Sequence, residues 1–218
     1  MQGRSLQNIR LLYNYDMPSR NRVKVYIPDS YYHIYNRGLN KQHIFKDDYD
    51  YSVFLNLLKR YLSNESIKDK MGREYGSLND RIELLAFCLM PNHFHLLIYQ
   101  HDELAMTALL RRVGTAYSTY FNKKYRRTGP LFQERFKANR ISKDEYLIHI
   151  SRYIHMNPSD YKNWEYSSLA HYLDKNKAGW IKPEKILSLF EGDYMNFLED
   201  YEDNKRILDE IEIELANT

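Results

Sequence analysis

His93 and His95 flank Phe94 in the run NHFHLL. In an extended strand, alternate side chains leave on the same face. Both imidazoles would then project together, while Phe94, Leu96 and Ile98 project the other way into a core. Two imidazoles side by side on a rigid strand can chelate one divalent cation. Ordinary pairs of surface or core histidines show the same spacing, but the apolar residues between them fix the direction in which both rings point. A second set lies further along the chain. His149, Tyr153 and Asn157 recur every four residues, which lines them along one stripe of a helix. That stripe borders the apolar set Leu147, Ile150 and Ile154. Asn offers a hard carbonyl oxygen as a third ligand. Tyr offers a phenol of pKa about 10 that can act as a nucleophile. An amphipathic helix with a merely packed tyrosine would look the same.

The elements that must position these groups are legible from periodicity. Val25–Tyr35 reads as a strand closed by Arg37-Gly38. Asp47 or Asp48 caps a helix whose apolar positions are Tyr51, Phe54, Leu55, Leu58 and Leu62. Ser63–Asn79, with Gly72 and Gly76, is a loop. Ile82–Met90 and His93–Tyr99 are two apolar runs reversing at Pro91-Asn92. Leu104–Phe121 is a helix with Met106, Leu109, Leu110, Val113, Tyr117, Tyr120 and Phe121 on one face. A fourth strand lies within Phe132–Ile141. Ser142 with Glu145 forms a capping-box pattern that starts a helix near Lys143, and Pro158 ends it. The order β-α-β-β-α-β-α predicts an α+β fold: a ferredoxin-like antiparallel sheet with helices packed on one face, plus a helical C-terminal appendage. Residues 1–24 read as a flexible N-terminal arm and 173–218 as an acidic helical extension.

Composition narrows the function classes. The 218 residues are 43% hydrophobic and 28% charged, with a mean hydropathy of −0.70. The longest apolar run, Leu84–Met90, is far short of the roughly 20 residues of a spanning helix, so no membrane partner is expected. The single cysteine, Cys88, excludes a disulfide scaffold and a cysteine-based zinc cluster. Met1–Arg20 has no apolar core of a secretory signal, so a cytoplasmic location is expected. Net charge is only +3, but it is unevenly spread: Arg111 to Arg140 holds nine Lys or Arg and one acid, Glu134, and the chain from Glu191 onward holds ten acids against Lys205 and Arg206. A basic middle points to an anionic partner, or to a solvated helix face. Its candidate DNA-binding residues are Arg111, Arg112, Lys123, Lys124, Arg126, Arg127, Arg135 and Lys137, interleaved with Tyr117, Tyr120, Tyr125 and Phe132. Such a mixture suits single strands, where cations track phosphates and aromatic rings stack bases. Tyr117 and Tyr120 lie on an apolar stripe and fit a core equally well.

Five segments in order carry a family resemblance: YHIYNRGLNKQHIF (32–45), LMPNHFHLL (89–97), YSTYFNKKYRRTGPLFQERFK (117–137), SRYIHMNP (151–158) and WEYSS (164–168). Together they resemble the HUH single-tyrosine transposases, most of all the REP-associated tyrosine transposase branch, over about residues 25–172. The resemblance implies a ferredoxin-like core and cleavage of single-stranded DNA without ATP, at hairpin-forming repetitive extragenic palindromes. It maps metal binding onto His93, His95 and Asn157, and the nucleophile onto Tyr153, leaving a 5′-phosphotyrosine. Tyr117 and Tyr120 compete for that role, but Tyr153 alone has an amide one turn downstream. The resemblance implies Mg²⁺ or Mn²⁺; mixed nitrogen and oxygen ligands suit Mn²⁺ better. It also adds Arg37 and Asn40 as DNA contacts. His149, one turn before Tyr153, is the candidate proton acceptor. The site could form within one chain or be shared in a homodimer. The alternative function is a regulator that grips folded single strands and cleaves weakly or not at all.

Overall fold

A computed structural model describes residues 26–200 apart from 69, 73, 176 and 190. The proposed N-terminal arm and the end of the acidic extension lie outside the described residues. Four strands, β1 (Ser30–Arg37), β2 (Ile82–Met90), β3 (His93–Gln100) and β4 (Lys137–Ile141), form one antiparallel sheet in the order β2-β3-β1-β4. This is the strand order of a ferredoxin-like β-α-β-β-α-β unit. Its two helices are α1 (Asp48–Leu62) and α2 (Ala105–Lys124). They lie together on one face, burying Phe54, Leu58, Leu109, Val113 and Tyr117 against Ile34, Leu84, Phe94, Leu96 and Ile98 of the strands.

A third helix, α3 (Asp144–His155), covers the opposite face. Leu147, Ile150 and Ile154 pack there with Leu85, Ala86, Cys88 and Leu97. Three short helices finish this second core: α4 (Leu169–Tyr172), α5 (Glu184–Leu187) and α6 (Tyr194–Glu199). They contribute Leu169, Tyr172, Ile186, Tyr194 and Leu198. The helices of the ferredoxin-like unit are thus on one face as expected, while α3 and the appendage make a second layer.

Several boundaries have local causes. Asp47 is the α1 cap, its side chain accepting from the Asp50 backbone N–H at 3.0 Å, the usual way an orphan helix donor is satisfied. β1 begins at Ser30, five residues later than the hydrophobic pattern predicts. Pro28 has no N–H to give a ladder, and Asp29 has φ of 48°, outside the extended region. The Ser142 capping box is not used: the cap position is Lys143, with no side-chain cap bond. Ile141 is still paired in β4, so the chain spends Ser142 and Lys143 on the turn. α3 ends at His155, before Asn157-Pro158, because a residue preceding proline is pushed out of the helical region. Among the described residues no helix is long and apolar enough to cross a membrane.

The pose of α3 is set by a buried polar clamp. His155 Nε2 lies 2.7 Å from Ser168 Oγ, and that hydroxyl accepts from the Phe87 N–H of β2 at 2.8 Å. His155 Nδ1 lies 2.8 Å from the Tyr194 hydroxyl, which is also 2.9 Å from Ser151 Oγ. Helix, sheet and appendage therefore meet at one residue two positions from Tyr153.

Candidate active site

The reversal at Pro91-Asn92 starts β3 at His93, so alternation sends His93 and His95 to the α3 face and Phe94 to the α1–α2 core. The two imidazoles stand perpendicular, with ring centroids 5.0 Å apart. From α3, the Tyr153 ring stands edge-on to His95 at 5.4 Å, and from the end of the same segment Asn157 Oδ1 lies 3.2 Å from His93 Nε2. His93, His95, Tyr153 and Asn157 of a single chain are thus gathered at one place.

Burial governs the state of the rings. Loss of solvent, aided by the Arg37 charge, lowers His93 to about 4. Loss of solvent and the neighbouring imidazoles His33 and His93 hold His95 well below the ordinary value. Both are neutral at physiological pH, with one ring proton each. On His93 the neighbouring Asn92 favours one position for that proton. Asn92 Nδ2 donates to the Lys41 carbonyl at 3.4 Å, which turns Asn92 Oδ1 toward His93 Nδ1, 2.6 Å away. An oxygen that only accepts requires the proton on Nδ1. Nε2 then presents a lone pair toward Asn157 Oδ1, another acceptor. Two acceptors facing each other at 3.2 Å repel unless a cation lies between them or the Asn157 amide turns. Two adjacent ligands of an octahedral ion, each at about 2.1 Å, are roughly 3 Å apart. The donor set therefore fits a divalent cation.

His149 is buried on α3, with its ring centroid 5.9 Å from that of Phe197. Arg37 is exposed at the end of β1, directly opposite His93 in register, and Lys137 pairs with Tyr35 on β4 with its ammonium 6.0 Å from the Tyr35 ring. Asn40 is exposed with a left-handed φ of 53°. The segment after α2 reaches this edge too: Leu39 N–H donates to the Leu131 carbonyl and Gln133 N–H to the Arg37 carbonyl, both at 2.9 Å. Arg126 and Arg135 in that segment are exposed, and half-buried Arg127 lies over Phe121. Lys123 and Arg111 are exposed on α2. Two members of the predicted groove are engaged within the protein. Lys124 donates to Asp47 and, at 2.8 Å, to the fully buried Asp50, and Arg112 donates to the Gly76 carbonyl at 2.7 Å.

The competing tyrosines belong to the other face. Tyr117 is fully buried in the α1–α2 core with its hydroxyl on the Ile44 carbonyl, and Tyr120 donates to Asp50 at 2.7 Å. Two residues at the site were not singled out by motif or spacing. In the sequence Asn92 carries only a turn signal, from Pro91-Asn92. His33, midway along β1, stacks on His95 with ring centroids 5.1 Å apart and stands 5.9 Å from the Tyr153 ring. Its signal was its place two residues before Tyr35 in a strand, but that becomes meaningful only once β1 is paired with β3.

Residues 26–157 match the family described as Transposase IS200 like. A solved structure described as the REP-associated tyrosine transposase bound to a REP hairpin aligns with a TM-score of 0.53, over 79% of this chain and 92% of its own, at 14% identity. A second, described as a candidate transposase from Deinococcus radiodurans R1, aligns with a TM-score of 0.38, over 61% of this chain and 94% of its own, at 15% identity. The first likeness shows a shared fold. No curated protein matches the chain.

Proposed function

The chain belongs to the IS200-like transposase family, and from that premise we propose that it nicks and rejoins single-stranded DNA at hairpin-forming palindromic repeats, with Tyr153 as nucleophile. The observation that carries this reading is the meeting of Tyr153, His95, His93 and Asn157 in one chain. The REP hairpin bound by the REP-associated relative supports DNA hairpins as substrate.

His93, His95 and Asn157 are the residues that would hold Mg²⁺ or Mn²⁺. When bound, such an ion polarises a phosphate oxygen and offsets charge developing on it. The protein's own groups do the rest. The Tyr153 oxygen attacks phosphorus; a bond from phosphorus to Tyr153 Oη forms and the bond to the 3′-oxygen breaks. The phenolic proton leaves to an acceptor, for which His149 is the candidate by its place one turn earlier. The departing 3′-oxygen takes up a proton. An aryl oxide is a better leaving group than an alkoxide, so a 3′-hydroxyl of a second strand can reverse the step and release Tyr153. The covalent intermediate conserves the bond energy between cutting and joining. Arg37 and Lys137 at the edge of the site, with Asn40 and the exposed cations Arg111, Lys123, Arg126 and Arg135, supply contacts to the strand.

The test is incubation with an end-labelled hairpin oligonucleotide and Mn²⁺, followed by a denaturing gel. The wild-type protein should give a labelled adduct that survives denaturation, and Tyr153→Phe should give none. An adduct in Tyr153→Phe would move the nucleophile elsewhere. Hairpin binding with no adduct from the wild type would favour the binding-regulator alternative.

A further inference from the structure

His33 has no part in the chemistry just described, yet it is fully buried beside it. Its Nε2 lies 2.9 Å from His95 Nδ1, with the rings inclined by only 13°. One proton is shared across that gap. The other nitrogen, His33 Nδ1, is buried without a hydrogen-bond partner. Directly opposite His33 in register on β4 is Asn139, whose Oδ1 and Nδ2 are buried and equally without partners. Opposed residues of antiparallel strands present their side chains to the same face. An orphan imidazole nitrogen and an orphan carboxamide are therefore neighbours under α3. An unsatisfied buried polar group costs about 1–3 kcal/mol, and internal water commonly relieves it.

Ring chemistry ties these orphans to His95. For His95 Nε2 to present a lone pair, its proton must sit on Nδ1. That N–H then donates to His33 Nε2. His33 must in turn carry its proton on Nδ1, where it needs an acceptor; Asn139 Oδ1, opposite it in register and itself without a partner, is the acceptor within reach of one water. We propose that Asn139, His33 and His95 form a hydrogen-bond relay, closed at its outer end directly or through one internal water, that holds His95 in the Nδ1–H tautomer. His33 is then a positioning residue. It does for His95 what Asn92 does for His93. The reversed relay, with His33 donating to His95 and Asn139 Nδ2 donating to His33, satisfies the same atoms. It would put a proton on His95 Nε2 and leave no ligand there.

This inference rests on the metal-binding part of the proposed function, but its first test does not. Long-range ¹H–¹⁵N correlation spectra of the metal-free wild-type protein near neutral pH distinguish a protonated from a bare ring nitrogen. The relay predicts a protonated Nδ1 and a bare Nε2 on His95. A protonated Nε2 would overturn it. The second test is Mn²⁺ titration by calorimetry. His33→Phe should weaken binding by about 10- to 100-fold, while His33→Gln, whose Oε1 can accept from His95, should stay close to wild type. Undiminished affinity in a folded His33→Phe would also overturn the relay. If the wild type itself takes up no Mn²⁺, the metal reading falls, and the spectrum alone decides the relay.

Discussion

Strands β1 and β3 show two unlike surfaces, residue by residue. Toward α1 and α2 they present Tyr32, Ile34, Phe94, Leu96 and Ile98, packed in an apolar core. Toward α3 they present His33, Tyr35, His93 and His95, whose rings meet one another and Tyr153. The polar groups differ as well. On the α1–α2 side, buried Asp50 is satisfied by Lys124, Tyr120, Tyr125 and the Lys46 N–H. On the α3 side, His33 Nδ1 and the Asn139 amide have no partner. Buried orphans are not confined to that side, since Asn122 Oδ1 and Arg127 Nη1 beside α2 also lack partners, but His33, with its orphan nitrogen, stands 5.9 Å from the Tyr153 ring. One face of this sheet is an apolar core, and the other gathers imidazoles around the Tyr153 ring.

The sharpest way to break that contrast is to substitute on each face and compare activity with stability. His93→Ala or His95→Ala should lower hairpin cleavage by on the order of 10³-fold, since a polarising cation is worth several kcal/mol. His93→Ala should leave the unfolding midpoint little changed, whereas His95→Ala, which removes the buried partner of His33 Nε2, should lower it; salt-sensitive binding should persist in both. Equal cleavage by the variants would remove the cation from the account.

Asp50→Ala should do the reverse, costing about 2 kcal/mol because it leaves the Tyr120 hydroxyl and the Lys46 N–H without their acceptor and leaves Lys124 and Tyr125 with Asp47 alone. Chemical denaturation would measure the loss, and cleavage per folded molecule should be preserved. Burial acts to raise the Asp50 pKa, but the hydrogen bonds from Lys124, Tyr120, the Lys46 N–H and Tyr125 outweigh it and leave the group below its ordinary value. A depressed carboxylate contributes stability that is complete above its unfolded pKa of about 3.9 and is lost as pH falls through the folded one. The acid limb of the wild-type stability curve below about pH 4 should therefore be shallower in Asp50→Asn.

The smallest effect concerns DNA affinity. Removing Lys137 or Arg37, at the edge of the histidine face, should each reduce the salt slope of hairpin binding by about 1. Lys124→Ala, already paired with Asp47 and Asp50, should leave the slope unchanged. An equal change in all three would place the strand across the α1–α2 layer instead.

Much of this contrast was legible in the amino-acid order, because strand alternation and helical spacing are local. The β2 and β3 runs, the Asp47 cap, and the opposed directions of Phe94 and His95 all follow from residues a few positions apart. What depended on distant partners was not legible. His33 gains its meaning from a strand that follows 60 residues later, where its Nε2 meets His95 at |i−j| of 62. Lys124 read as one more cation of a groove until α1 brought Asp47 and Asp50 to it, 77 and 74 residues away. Ser142 carried a good capping signature, but tertiary pairing held Ile141 in the sheet and moved the cap to Lys143.

The measurement closest to the central claim is the identity of the residue that carries DNA. The wild-type adduct, digested with protease and nuclease, can be sequenced by tandem mass spectrometry. A 5′-phosphoryl remnant is expected on Tyr153, in the peptide that also contains His155 and Asn157. A remnant on Tyr117, Tyr120 or any other residue would contradict it.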